Sequence, residues 1–141
     1  MKIIGVACGG YTSEREISLK SGNFIFNLIR DSNFECYKIE INKGNYLVID
    51  KSGNKFSLNK ENFQFSKNDI NFSFDYVINL VHGSPGENGE ITKKFEDLGI
   101  SHSTCNSSIA KLTFNKKKCL ELAKKNGIKT ARSKLIRKEQ V

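Results

Sequence analysis

Ile3-Ile4-Gly5-Val6-Ala7-Cys8, followed by Gly9-Gly10-Tyr11-Thr12-Ser13-Glu14-Arg15-Glu16-Ile17-Ser18, is the stretch on which the fold turns. Successive small or apolar residues without alternation mark a strand covered on both faces, as strands of a parallel sheet are. Two glycines stop the strand. Thr12 and Ser13 ahead of Glu14 and Glu16 then mark a helix start, with Ser13 as the cap and Glu16 completing a capping box. Ile17, Ser21, Phe24, Ile25 and Leu28 recur at helical spacing and predict one buried face. The helix should stop near Asp31-Ser32-Asn33.

Working outward, residues 34–41 read as a second strand, and 46–49 with 55–58 as a hairpin around Lys51-Ser52-Gly53-Asn54. Residues 59–73 are polar with scattered Phe and read as an irregular loop. Tyr76-Val77-Ile78-Asn79-Leu80-Val81 is a third buried strand, running into His82-Gly83-Ser84-Pro85-Gly86-Glu87-Asn88-Gly89. Ile91, Phe95 and Leu98 mark a helix that Gly99 closes. Strands alternating with helices predict an α/β fold: a Rossmann-like, open, mainly parallel sheet with helices on both faces. After Cys105 the character changes. Asn106 or Ser107 caps a short helix to Leu112, Asn115 caps a longer one reaching Lys125, and 128–136 reads as extended. The chain therefore divides into a first domain over 1–106 and the helical start of a second over 107–141.

With 38% hydrophobic and 27% charged residues, 141 residues suit one globular domain with little left over, and not a disordered segment. No apolar run approaches the roughly 18 residues of a membrane span. No secretory leader is legible either, so the expected location is the cytoplasm. Cysteines at 8, 36, 105 and 119 form no Cys-x-x-Cys pair and read as reduced thiols, not as metal ligands or a disulfide frame. The net charge of +8 is local: from 111 onward eleven Lys and Arg face two acids, giving +9, against twelve and thirteen before it, giving −1. A basic nucleic-acid-binding module over 111–138 is one competing reading. Yet that segment has a single aromatic, Phe114, and no repeated basic pattern. A solvated helix face, or a surface for nucleotide phosphates, accounts for the charge equally well.

Ligands of open parallel sheets gather beyond the carboxyl ends of the strands, and the loops over 9–18 and 82–89 have that placement. Paired glycines let a backbone approach a ligand closely. Glu14, near a helix start, is kept ionised by the local dipole and would seat a substrate ammonium. Taken singly, Glu14 and Glu16 read as well as plain helix-start acids, and His82 as a structural histidine. A dinucleotide fingerprint is poorly matched, because Gly5-x-x-x-Gly9-Gly10 lacks the Gly-x-Gly-x-x-Gly spacing.

Together, the two loops resemble those of D-alanine–D-alanine ligases: Gly9 through Leu19, then His82-Gly83-x-x-Gly86-Glu87-x-Gly89, Phe95-Glu96 and Leu98-Gly99-Ile100. The match continues through Leu112-Thr113-Phe114-Asn115-Lys116 and Gly127-Ile128-Lys129-Thr130. The resemblance implies a pre-ATP-grasp domain followed by the opening of an ATP-grasp domain, from a longer ligase of three domains. It also implies the reaction. ATP phosphorylates the carboxylate of one D-alanine, and the amine of a second attacks the acyl phosphate, making a peptidoglycan precursor. By motif position, Glu14 and His82 are the catalytic candidates, Glu14 binding the ammonium of the first D-alanine and His82 orienting it. Gly9, Gly10, Ser18 and Gly83 join them as substrate-binding positions, the glycine backbones shaping the pocket floor. Lys116 would approach the ATP phosphates. Implied partners are D-alanine, ATP, the remainder of a ligase chain and a second copy in a homodimer, with no nucleic acid and no membrane.

Some positions depart from the family pattern: Asn88 where Asp is usual, Thr92 where Gln is usual, Ser101-His102-Ser103-Thr104 for Pro-Tyr-Thr-Gly, and Asn115 for the Asp before the lysine. The phosphate-covering loop, the second ATP lysine, the arginine that stabilises the tetrahedral intermediate and the carboxylates for Mg²⁺ have no counterpart in the sequence. The expectation is that this segment alone is inactive.

Overall fold

The computed structural model describes residues 1–136. Its central strand, β1 (Ile3–Gly9), is buried on both faces, as its unbroken apolar run requires. Ile4 and Val6 join Phe26 and Cys36 in a cluster on one face. Ala7 joins the larger cluster of Tyr37, Ile39, Val48, Phe63, Phe65 and Phe95 on the other. β1 pairs in parallel with β2 (Glu35–Ile41) and with β7 (Tyr76–Asn79), and β7 in parallel with β8 (Ser101–His102).

Beyond β2 the sheet changes direction. Strands β3 (Tyr46–Ile49), β4 (Lys55–Asn59), β5 (Gln64–Lys67) and β6 (Ile70–Phe72) follow one another antiparallel, giving the order β6-β5-β4-β3-β2-β1-β7-β8. The eight-stranded sheet is therefore mixed, not mainly parallel: three of its seven pairings are parallel and four antiparallel. The cause is loop length, since a parallel crossover needs a dozen or more residues and the links between these strands are far shorter.

The expected loop at 59–73 is also corrected, because it contains the β5–β6 hairpin. Asn68 and Asp69 both take positive φ, 51° and 61°, as the two central residues of a type I′ turn do. Phe63, Phe65 and Phe74 are buried, with Phe65 and Phe74 edge-on to Tyr37 and Phe63 edge-on to Phe74 and Phe95. The scattered aromatics are thus one wall of the main core.

Helix α1 (Arg15–Ile29) lies on the smaller cluster and α2 (Glu90–Asp97) on the larger, so helices do cover both faces. Two details of α1 differ from expectation. Ser13 makes no cap. Thr12 instead accepts the Arg15 N–H through its carbonyl at 3.2 Å and the Glu14 N–H through its hydroxyl at 3.4 Å. The buried residues are Ser18, Gly22 and Phe26, while Ile17, Phe24 and Leu28 are 58%, 64% and 64% exposed. Gly22 explains the rotation: any Cβ there would collide with the Cys8 side chain, so the helix turns its smallest residues to the strand and sits close.

Gly99 ends α2 at positive φ, as expected. Helix α3 (Ser107–Phe114) is capped by the Asn106 side chain, which accepts the Ile109 N–H at 2.9 Å. Helix α4 (Lys116–Lys125) is capped by Asn115, which accepts the Lys118 N–H at 3.1 Å. Residues 128–136, expected to be extended, form no regular strand, and 137–141 lie outside the described residues. No described helix is long and apolar enough to cross a membrane.

Candidate functional site

β1 and β7 are neighbours, so the loops that leave their carboxyl ends must emerge side by side. Hydrogen bonds then tie the loops together. Gly10 donates its N–H to the Ile41 carbonyl at 2.9 Å, and Tyr11 donates to the Ser84 carbonyl at 2.8 Å. Inside the second loop, the Glu87 N–H reaches the Gly83 carbonyl at 2.7 Å. The Tyr11 and Tyr46 hydroxyls are 2.9 Å apart, which holds the first loop against β3.

The result is one cleft of about 860 Å³ that takes in Glu14, His82 and Lys116 together. Glu14 and His82 come from the two strand-end loops. Phe114 and Lys116 come from the end of α3 and the start of α4. Glu87, quoted in the sequence motif without a role, also lines the cleft and adds a second carboxylate. Thr92 and Thr104 supply hydroxyls 3.4 Å apart, and Thr104 is 3.0 Å from Nδ1 of His102. Two glutamates and a lysine around one cleft suit a ligand with a cationic end and an anionic end. Lys117, by contrast, pairs with Glu121 at 3.7 Å along α4.

Four expected substrate-binding positions are not among the residues that line this cleft. Gly9, Gly10 and Gly83 do not line it. Gly10 has φ 118°, and a Cβ there would lie 2.8 Å from the His82 carbonyl oxygen, so glycine is required for one loop backbone to lie on the other. Ser18 is fully buried. Its hydroxyl donates to the Leu80 carbonyl at 2.6 Å and accepts the Gly9 N–H at 2.8 Å. Both bonding partners belong to the chain itself, so Ser18 braces the site. Hydroxyl burial of this kind has no signature in a single sequence.

Among the described residues, no group of three or more His, Cys, Asp or Glu side chains could hold a metal ion. Cys105 lines the cleft and is exposed, whereas burial drives the Cys8 thiol up to about 12.

Comparison with known proteins reaches the same segment. The family described as D-ala D-ala ligase N-terminus matches residues 3–105. The chain belongs to this family. Among similar proteins, the D-alanine--D-alanine ligase of Christiangramia forsetii is 37% identical over 139 residues, covering 99% of this chain and 43% of that protein. The ligase of Flavobacterium johnsoniae is 36% identical over 138 residues, covering 98% and 43%. The solved D-alanine-D-alanine ligase of Aeromonas hydrophila superposes with a TM-score of 0.81 at 25% identity, over 99% of this chain and 52% of that one. This member of the ligase family thus spans about 43% of the length of the curated relatives it matches.

Proposed function

We propose that this segment forms the first D-alanine site of a cytoplasmic D-alanine–D-alanine ligase and opens its ATP site. The observation that carries the reading is the single cleft holding Glu14, His82 and Lys116. Glu14 binds the ammonium of the first D-alanine, which turns that substrate's carboxylate across the cleft toward Lys116. His82 lies beside the same substrate and orients it. Lys116 draws in the ATP phosphates, so carboxylate oxygen and γ-phosphorus meet in line. Phosphoryl transfer gives an acyl phosphate and ADP, and the amine of a second D-alanine then displaces phosphate to form the peptide bond. Positioning and charge neutralisation supply most of the catalysis in such a transfer.

Mg²⁺ is held by one or two carboxylates alongside phosphate oxygens; of the two that line the cleft, Glu14 is taken by the ammonium, and among the described residues no group of three or more His, Cys, Asp or Glu side chains could hold a metal ion. No step is therefore derived through the metal. Residues 1–106 serve as the substrate domain and those from 107 onward as the start of the ATP-binding domain. The lysine-rich segment serves nucleotide phosphates and not a nucleic acid. The exposed stripe of Ile17, Phe24 and Leu28 on α1 favours a second copy as a partner.

The test is Glu14→Gln in the full-length ligase. The amide keeps the shape but loses the charge that holds an ammonium, so the KM for D-alanine should rise by about tenfold or more while the KM for ATP stays put. Unchanged D-alanine kinetics would remove Glu14 from the site.

A further inference from the structure

We infer that Glu96 is a positioning residue that fixes the Lys116 wall of the cleft, an inference that rests on the ligase reading above. Glu96 does not line the cleft. It stands in the last turn of α2, and both of its carboxylate oxygens are engaged by one residue of α3. Oε1 accepts the Ser107 N–H at 2.7 Å, and Oε2 accepts the Ser107 hydroxyl at 2.6 Å. Ser107 is the first residue of α3, where backbone N–H groups lack helical partners and the helix dipole favours a negative charge. The hydroxyl and the backbone N–H of Ser107 together hold the Glu96 carboxyl below its ordinary range. The start of α2 touches the same point, since a Cβ on Gly89 would lie 2.5 Å from the Ser107 carbonyl oxygen and 3.3 Å from the Lys111 nitrogen. Ala110, one turn further along α3, is buried.

The opposite end of α3 is where this clamp acts. Thr113 and Phe114 line the cleft, and Asn115 passes the chain directly to Lys116. Eight residues make α3 a lever of roughly 12 Å, so a tilt of about 10° at Ser107 displaces Lys116 by roughly 2 Å. A misplacement on the order of 1 Å is enough to cost a large factor in a transfer that depends on positioning. Glu14 and His82 hang from β1 and β7 and do not ride on this lever. Loosening the clamp should therefore disturb the phosphate side of the site and spare the ammonium side.

Two variants and two readouts test this. In the full-length ligase, Glu96→Ala should raise the KM for ATP by about tenfold and leave that for D-alanine within about twofold. Glu96→Gln should restore the ATP value, because its amide oxygen accepts the Ser107 N–H while its NH₂ donates to the Ser107 hydroxyl. An unchanged ATP KM in the alanine variant, equal damage from alanine and glutamine, or a parallel rise in both KM values would each overturn the proposal. In the 141-residue chain, hydrogen exchange at Ser107–Phe114 should accelerate in Glu96→Ala, with β1 and β7 amides unaffected, and unaltered exchange would rule out the clamp. A wild-type ligase that makes no dipeptide would refute the functional reading alone, since the exchange measurement stands without it.

Discussion

Ser18 shows how much one hydroxyl can organise. It joins the end of β1, through Gly9, to the end of β7, through Leu80, and those two strands deliver the loops that carry Glu14 and His82. Ser18→Ala leaves the Gly9 N–H and the Leu80 carbonyl without that partner in a buried place. The expected loss is about 1–3 kcal/mol, read as a lower urea midpoint with the slope unchanged. An unaltered midpoint would mean that the hydroxyl carries no bridge. Cys8 is unreactive for a related reason, because burial raises its thiol to about 12 against an ordinary 9.0 and the thiolate is the nucleophile. Maleimide at neutral pH should therefore label exposed Cys105 and spare Cys8 in the folded chain, with mass spectrometry of the peptides as the readout. Labelling of Cys8 before unfolding would contradict the packing of Gly22 against it.

At the scale of elements, α1 separates hydrophobicity from burial. Phe24 and Phe26 are two positions apart on one helix, yet one is 64% exposed and the other 7%. Phe26→Ala should cost about 3–5 kcal/mol, as truncating a core phenylalanine does. Phe24→Ser should stay within about 0.5 kcal/mol in the isolated fold and should weaken self-association if the stripe pairs two copies. Denaturation midpoints and sedimentation of both variants decide the matter, and a reversed order of stabilities would exclude the observed rotation of α1. The β5–β6 hairpin makes the complementary point. Its strands are short and its Asn68-Asp69 turn lacks the glycine that announces a type I′ hairpin, while its aromatics complete the core.

For the molecule as a whole, buried hydroxyls and thiols set the response to alkali. Burial, then the hydrogen bond with Glu35, raises the Tyr37 hydroxyl, and burial, then the bond with Tyr11, raises that of Tyr46. Cys8 rises with them. Each group keeps its proton longer in the folded chain than in the unfolded one, so this stabilisation is complete below the unfolded pKa. It declines as pH climbs from 9.0 toward about 12 for Cys8. Urea midpoints should accordingly hold steady from neutral pH to 8 and fall by pH 10 and above, whereas a midpoint that rises with pH would reverse the sign. The purified 141-residue chain should also release no D-alanine-dependent phosphate from ATP, since it spans about 43% of the length of the ligases it matches. Robust turnover would show that it holds a complete site.

Local pattern was enough to find β1, β2 and β7 and the helices α1 and α2 that follow the first and last of them, because apolar strand runs and capped helical spacings admit few other structures. The resemblance carried by the two strand-end loops also led to Glu14, His82 and Lys116 being expected at one site, and the fold brings the three to one cleft. Tertiary structure decided the rest. Strand direction at the β3–β6 edge follows from how neighbouring strands pair, and the face α1 buries follows from how closely Gly22 can approach Cys8. Whether Ser18, Gly9, Gly10 and Gly83 touch a ligand or hold the loops that do depends on packing between segments far apart in the chain. Residue type and local spacing carry no record of such distances.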